Sequence, residues 1–389
     1  MLALSFPLIR NSYAAISGSF LPILFYSVFI AGLVFIFYGN ILGYRVKIPV
    51  TLVEILLVVF TFYLVYSLFR ITDDRLYGGE KLRYFLINII LFYLPVLLVK
   101  RQEDLVKVFK SILFFGFFMT AYAVLSYLDL ETYFGVTGSG RFATLGMNPI
   151  WMARYLTYAI LCELFFINIY RKDLMQNIGK ISILVLIILV QLFFAFLTGS
   201  RGPILAAMLG VIAVILIHVR FRLSYLILIL GFIVLLMILI LSFVPLDIAN
   251  RLLSRDTAGQ TTTLLRVMTN LDALQVFWQN KIFGAGLGSF NMFYLKYPHN
   301  ILTESLAEFG IIGFSILVTI IFTGFIYLVR ISKKIPHSSF FLILALYIAS
   351  FVNANLSGHI GSNFYLFLSL GMIVAAYSSL CHRIENGTD

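Results

Sequence analysis

The stretch Tyr297-Pro-His-Asn-Ile-Leu-Thr-Glu-Ser-Leu-Ala-Glu-Phe-Gly-Ile-Ile-Gly313 decides how the rest of the chain is read. Pro298 disfavours helix at Tyr297, Asn300 suits an N-cap, and Leu302, Leu306 and Phe309 recur at helical spacing. Glu304 and Glu308 share a second face, so the helix is expected to have an apolar side and an acidic side. It runs directly into an apolar segment of membrane length, which places His299 at a membrane surface rather than in a core. A histidine in such a turn is equally expected to be merely solvated, and the motif takes its meaning from its context.

Composition supplies that context. Of 389 residues, 61% are hydrophobic and only 12% charged, too little polar surface for a soluble body of this size. Apolar runs near bilayer length lie at 20–38, 48–69, 84–99, 108–128, 150–170, 181–197, 203–219, 223–244, 311–329, 339–356 and 364–380. The expected fold is all-α, a polytopic membrane protein of about 11–12 transmembrane helices forming one transmembrane domain over residues 1–389. Residues 1–19 lack the basic start and cleavage site of a signal peptide, and are expected to add at most a short or re-entrant segment.

Basic residues in the connections at 100–107, 171–180, 220–222 and 330–334 alternate with less basic ones, which fixes the expected sidedness. The loops around Arg141 and Arg201, the segment 245–300 and the loop 357–363 then face outward. The segment 70–83 fits this less well, because it lies on the outer side with Arg70, Arg75, Lys81 and Arg83, partly offset by Asp73, Asp74 and Glu80. The net charge of +11 is met by topology and by anionic lipid head groups, so a nucleic-acid partner is not expected. Cys162 and Cys381 form neither a disulfide framework nor a metal motif.

Residues 245–300 break the pattern of short connections and are expected to be functional. They hold Arg251, Arg255, Arg266, Asp272, Trp278 and the turn Gly284-Ala-Gly-Leu-Gly288. Leu264, Leu265, Met268, Leu271, Leu274 and Phe277 predict an amphipathic helix on the membrane surface.

Three basic groups collect on the expected outer side: Arg201, Arg266 and His299. Arg201 lies in Thr198-Gly-Ser-Arg-Gly-Pro203, where Gly202 permits a tight turn and Pro203 suits a first helical position. Next to Ser200, a guanidinium and a helix N-terminus would then face the same spot, which is a natural diphosphate site. An arginine that anchors a span end by snorkelling reads equally well. Arg141, in Gly140-Arg-Phe-Ala-Thr-Leu-Gly-Met-Asn-Pro149, is read either as a binding group or as part of a capped loop. The five histidines are scattered, and neither HExxH, a paired-aspartate motif nor a nucleotide-binding glycine loop occurs, so no metal or other cofactor is expected. Glu54, Arg154 and Glu163 are ionisable groups inside spans, too sparse for an ion-coupled transporter, whereas a flippase for lipid-linked glycans stays open.

Taken in order, these motifs resemble the O-antigen ligase and polymerase superfamily of bacterial membrane glycosyltransferases. The resemblance rests on His299-Asn300 followed, after nine residues, by Gly310-Ile-Ile-Gly313. It is supported by Thr198-Gly-Ser-Arg-Gly202, Leu265-Arg266, Lys281-Ile-Phe-Gly-Ala-Gly-Leu-Gly-Ser-Phe290 and the stretch 141–149. It implies a GT-C-like fold in the bacterial inner membrane and a periplasmic site. The implied donor is an oligosaccharide on undecaprenyl diphosphate, and the acceptor is another glycan or lipid A-core. Arg201 and Arg266 would hold the diphosphate and His299 would act as base, with Asp272, Glu304 or Glu308 as alternatives. Arg141, Asn300, Ser200, Gly202, Glu304 and Glu308 would complete the substrate contacts. The reaction would be inverting and metal-independent. Polymerase is slightly preferred to ligase, and a chain-length regulator would accompany a polymerase.

Overall fold

The computed structural model describes residues 51–70, 76–99, 102–128, 142–143, 148–170, 177–218, 257–294, 297–332, 335 and 337–385. The expected spans at 20–38 and 223–244, and Arg141, lie outside the described residues. Among the described residues all regular structure is helical: α1 (Leu52–Phe69), α2 (Leu76–Leu98), α3 (Gln102–Tyr127), α4 (Pro149–Ile169), α5 (Ile178–Leu197), α6 (Arg201–His218), α7 (Thr257–Gln279), α8 (Ser289–Tyr294), α9 (Ile301–Ile331), α10 (His337–Leu356), a 3-10 turn at Ile360–Ser362 and α11 (Phe364–Glu385). Seven of these helices are long and apolar enough to cross a bilayer, and two shorter apolar helices, Arg201–Ile217 and Phe364–Ser379, fall on the remaining expected spans. The chain is therefore an all-α, multi-pass membrane protein.

Helices pack in pairs, α6 on α10, α2 on α11, α3 on α4, and both α1 and α7 on α9. Glycines sit at several of these seams. A side chain at Gly210 would meet the Ala345 backbone, and one at Gly371 the backbone of Phe92, the close approach by which helices associate where lipid offers no hydrophobic drive. Ionisable groups inside the spans are held individually. Glu54 accepts the Thr51 N–H in a capping box, Glu163 accepts from Gln191 at 2.7 Å, and Arg154 donates to the carbonyls of Asn353 and Ser357.

The apolar stripe of α7 divides. Ala273 and Val276 are buried against Phe290 and Ala307, while Leu264, Leu265, Met268, Leu271 and Trp278 stay exposed. An outward apolar face of this kind suits the membrane surface.

Connections at one end of the bundle are bonded to one another. Arg70 donates to Gly284 O at 2.8 Å, Leu287 N–H to Ser67 O, Phe142 N–H to Leu197 O, and Arg154 to Ser357 O. These loops are the ones that the positive-charge pattern groups on a single side. The awkward segment at 70–83 is explained at the same time. Helix α2 begins at Leu76, and Lys81 is buried inside the protein, so it anchors nothing to a head group.

Candidate functional site

α9 organises this end of the molecule. Asn300 caps it by accepting the N–H groups of Leu302 and Thr303, so its side chain is spent on the backbone as its sequence position predicts. Nine residues on, the helix is broken at Gly310 (φ 62°, ψ −165°), a conformation open in practice to glycine alone. The break frees carbonyls that the turn of residues 284–288 then satisfies. Ala285 N–H donates to Ala307 O and Gly286 N–H to Glu308 O, each at 2.9 Å, and Tyr63 OH donates to Phe309 O at 2.7 Å. Gly284 must lack a side chain because a Cβ there would strike the Glu308–Phe309 peptide. The two glycine-bearing motifs of the sequence are thus halves of one joint.

His299 precedes the cap with φ 60°, in the left-handed region that few non-glycine residues occupy. Its neighbours fix it there. Asn270 of α7 donates to Pro298 O at 2.9 Å and to Arg266 O at 2.6 Å, and accepts from Thr303 Oγ1 at 2.6 Å. One asparagine therefore ties the turn of Arg266 to the loop of His299, a role its sequence position gave no sign of. His299 is half-buried, and its Nδ1 has no hydrogen-bond partner among the described residues. Burial first, then the Arg266 and Arg154 guanidiniums, lower its pKa to about 4, so the imidazole is neutral at physiological pH. Arg266 is itself lowered, by burial and then by Arg201, and it remains a cation. Its Nε is likewise unpartnered among the described residues.

Arg201 opens α6 two residues after Gly199, whose φ of 60° ends α5. The helix starts two residues before the position expected from Pro203, which still falls in the first turn, where its missing N–H costs nothing. Ser200 is buried, with its N–H on Thr198 Oγ1 at 3.2 Å, and Gly202 faces Leu356. The structure thus brings Arg266 within electrostatic reach of both Arg201 and His299, three residues from separate segments.

Glu304 and Glu308 share one face, as their spacing predicts, and that face is turned inward. Both are fully buried around Lys81, at 2.5 Å and 2.7 Å. Glu304 also accepts the Ile360 N–H and Glu308 the Gly288 N–H, each at 2.9 Å. The physical reason is long-range: an ammonium 223 residues away in sequence supplies the partner that makes burial of the acidic face tolerable. The triad joins α2, α9, the 284–288 turn and the 358–362 turn. Asp272 is half-buried on α7.

Beside the triad lies a cavity of about 180 Å³ that the sequence did not foretell. It is lined by Tyr77, Lys81, Tyr84, Trp151, Arg154, Tyr297, Ser357 and His359, among others. Among the described residues, no group of three or more His, Cys, Asp or Glu gathers in metal-binding fashion.

The described residues thus form a multi-pass membrane bundle that carries arginines and a half-buried histidine near one another at one end. The family model described as O-antigen ligase matches residues 183–318, the segment that carries Arg201, Arg266 and His299. Over that segment the chain is similar to the O-antigen ligase family, in line with the resemblance that its motifs carry. No curated protein matches the chain.

Proposed function

We propose that the protein transfers a glycan from undecaprenyl diphosphate to an acceptor sugar hydroxyl on the periplasmic face of a bacterial inner membrane, with inversion and without a metal. The observation that supports this reading is that Arg266 lies within electrostatic reach both of Arg201 and of His299, whose imidazole is kept neutral. A glycosyl diphosphate is already activated. It needs positive charge where the leaving group gains negative charge, and a base for the incoming hydroxyl. The anomeric C–O bond breaks with its electron pair passing to the diphosphate oxygen, next to Arg201 and Arg266. The acceptor oxygen bonds the opposite face of that carbon, and its proton goes to His299. Ser200 and Gly202 shape the turn that presents Arg201, Asn300 sets the orientation of His299, and Arg141, which lies outside the described residues, is a further candidate substrate contact. Glu304 and Glu308 act from behind, through Lys81.

Polymerisation is the preferred outcome, with a chain-length regulator as partner, and ligation to lipid A-core is the alternative. The test is a reaction of purified protein with an undecaprenyl-diphosphate-linked repeat unit, with and without lipid A-core. A ladder from donor alone supports polymerase, and a shifted core lipid supports ligase. Arg201→Ala, Arg266→Ala and His299→Ala are each expected to abolish product while the protein stays inserted. No product from wild type, together with transbilayer movement of the donor, would replace this reading with a flippase.

A further inference from the structure

We infer that the cavity bounded by Tyr84, Trp151, Arg154, Tyr297 and His359 is the acceptor subsite, holding the single sugar unit whose hydroxyl is glycosylated. The inference rests on the glycosyltransferase reading above and adds to it a second set of residues, none of which belongs to the cationic cluster.

Size is the first argument. At about 180 Å³, the cavity falls below the roughly 300–1,000 Å³ of pockets that enclose drug-sized ligands. It is of a size to seat one monosaccharide ring. The chemistry of the walls is the second. The rings of Tyr84, Trp151 and Tyr297 offer apolar surface for the C–H faces of a sugar, while polar groups between them meet its hydroxyls.

Two of those polar groups have a defined state. The Gly361 N–H donates to His359 Nδ1 at 3.2 Å, so the imidazole proton resides on Nε2 and that nitrogen is a donor. His359 therefore serves as a hydrogen-bond donor to a sugar oxygen and not as a second base. Arg154 is 3% exposed. Two carbonyls, Asn353 O at 3.2 Å and Ser357 O at 2.8 Å, hold its Nη2, and the other face of the guanidinium lies over Trp151 at 5.0 Å. Its Nε is buried with no partner among the described residues.

Position completes the argument. The Tyr297 ring lies 4.4 Å from the ring of His299 and 5.5 Å from that of His359, centroid to centroid. One side chain thus separates the cavity from the base, so a sugar seated there projects a hydroxyl past Tyr297 toward His299. Lys81 lines the same cavity, and its partner Glu304 fixes the 358–362 turn by accepting the Ile360 N–H.

The experiment separates acceptor from donor. A synthetic alkyl glycoside of the repeat unit lacks a diphosphate and acts only as acceptor, and lipid A-core serves as the second acceptor. Initial rates are measured against acceptor and against undecaprenyl-diphosphate-linked donor for wild type, Tyr84→Ala and His359→Gln. Each variant is expected to raise the KM for whichever acceptor is used by about tenfold, the equivalent of one lost hydrogen bond or ring contact, with the KM for donor unchanged. Arg201→Ala serves as the opposite control, affecting donor first. Tyr84 is only half-buried, so its variant keeps the test open should His359→Gln misfold. Acceptor KM values equal to wild type in an active Tyr84→Ala protein, or an equal rise in donor KM, overturn the subsite. A wild-type protein with no transfer to either acceptor overturns the glycosyltransferase reading instead.

Discussion

Lys81→Met withdraws the ammonium that sits between two fully enclosed carboxylates. Methionine fills a similar volume, so the loss is electrostatic rather than one of packing. Breaking a buried ion pair from one side costs about 3–5 kcal/mol, because the remaining charge is left without a partner. Here two charges are stranded, and each keeps a single backbone N–H, that of Ile360 for Glu304 and of Gly288 for Glu308. The upper end of the range is therefore expected, about 5 kcal/mol. At roughly 2–4 °C per kcal/mol for chains of 150–250 residues, that is a fall in the unfolding midpoint on the order of 10 °C. Glu304→Gln provides the control, since it retains an acceptor for Ile360 and leaves Lys81 paired with Glu308; about 1 kcal/mol is expected. The assay is thermal unfolding of detergent-held protein followed by fluorescence and by the fraction remaining monodisperse. A Lys81→Met protein within about 1 kcal/mol of wild type, or a Glu304→Gln protein as unstable as Lys81→Met, would refute the reasoning.

Because His299 is lowered to about 4, kcat/KM is expected to hold from neutral pH down to about 5 and to fall with an acid limb near 4; a limb near 6.5 contradicts a buried neutral base. The same shift acts on stability. Between pH 6.5 and about 4 the unfolded chain binds a proton that the folded chain refuses, so the contribution of this group is intact above 6.5 and drains away as pH falls. Gly310→Ala forces a side chain into a backbone conformation with φ 62° and against the Ile282 carbonyl, and is expected to cost at least about 2 kcal/mol and most of the inserted protein; wild-type yield would show that the break in α9 is dispensable. Transfer is expected to proceed at full rate in EDTA, and loss of activity restored by magnesium would disprove charge stabilisation by arginine alone.

What the sequence disclosed was local. The period of the apolar runs located the spans, Asn300 announced its cap, and the alternation of basic loops grouped the connections that the structure finds bonded together. The dependence of Gly310 on the turn at 284–288 was hidden, because each motif looks self-sufficient until the freed carbonyls of α9 are counted. The fate of Glu304 and Glu308 was hidden for a related reason. Helical spacing shows that two residues share a face, but not which way it points, and only the position of Lys81 on α2 turns it inward. Arg154 stood out in sequence as a charge within a span. Its partners are carbonyls of Asn353 and Ser357, which carry no sequence signal because every residue has one.

The cationic cluster also bears on when His299 becomes an effective base. Burial is the larger cause of its lowered pKa, and the next is the charge of Arg266. On the proposed reading that guanidinium receives the donor diphosphate. The bound anion then offsets part of the positive field at the imidazole, and the basicity of His299 rises once the leaving group is in place. The free enzyme would hold a weak base and the donor complex a stronger one. Since kcat/KM reports the free enzyme and kcat the complex, the acid limb of kcat should lie above that of kcat/KM, between about 4 and 6.5. Coincident limbs would mean that the diphosphate does not sit against Arg266, and the donor would have to be placed elsewhere at this end of the bundle.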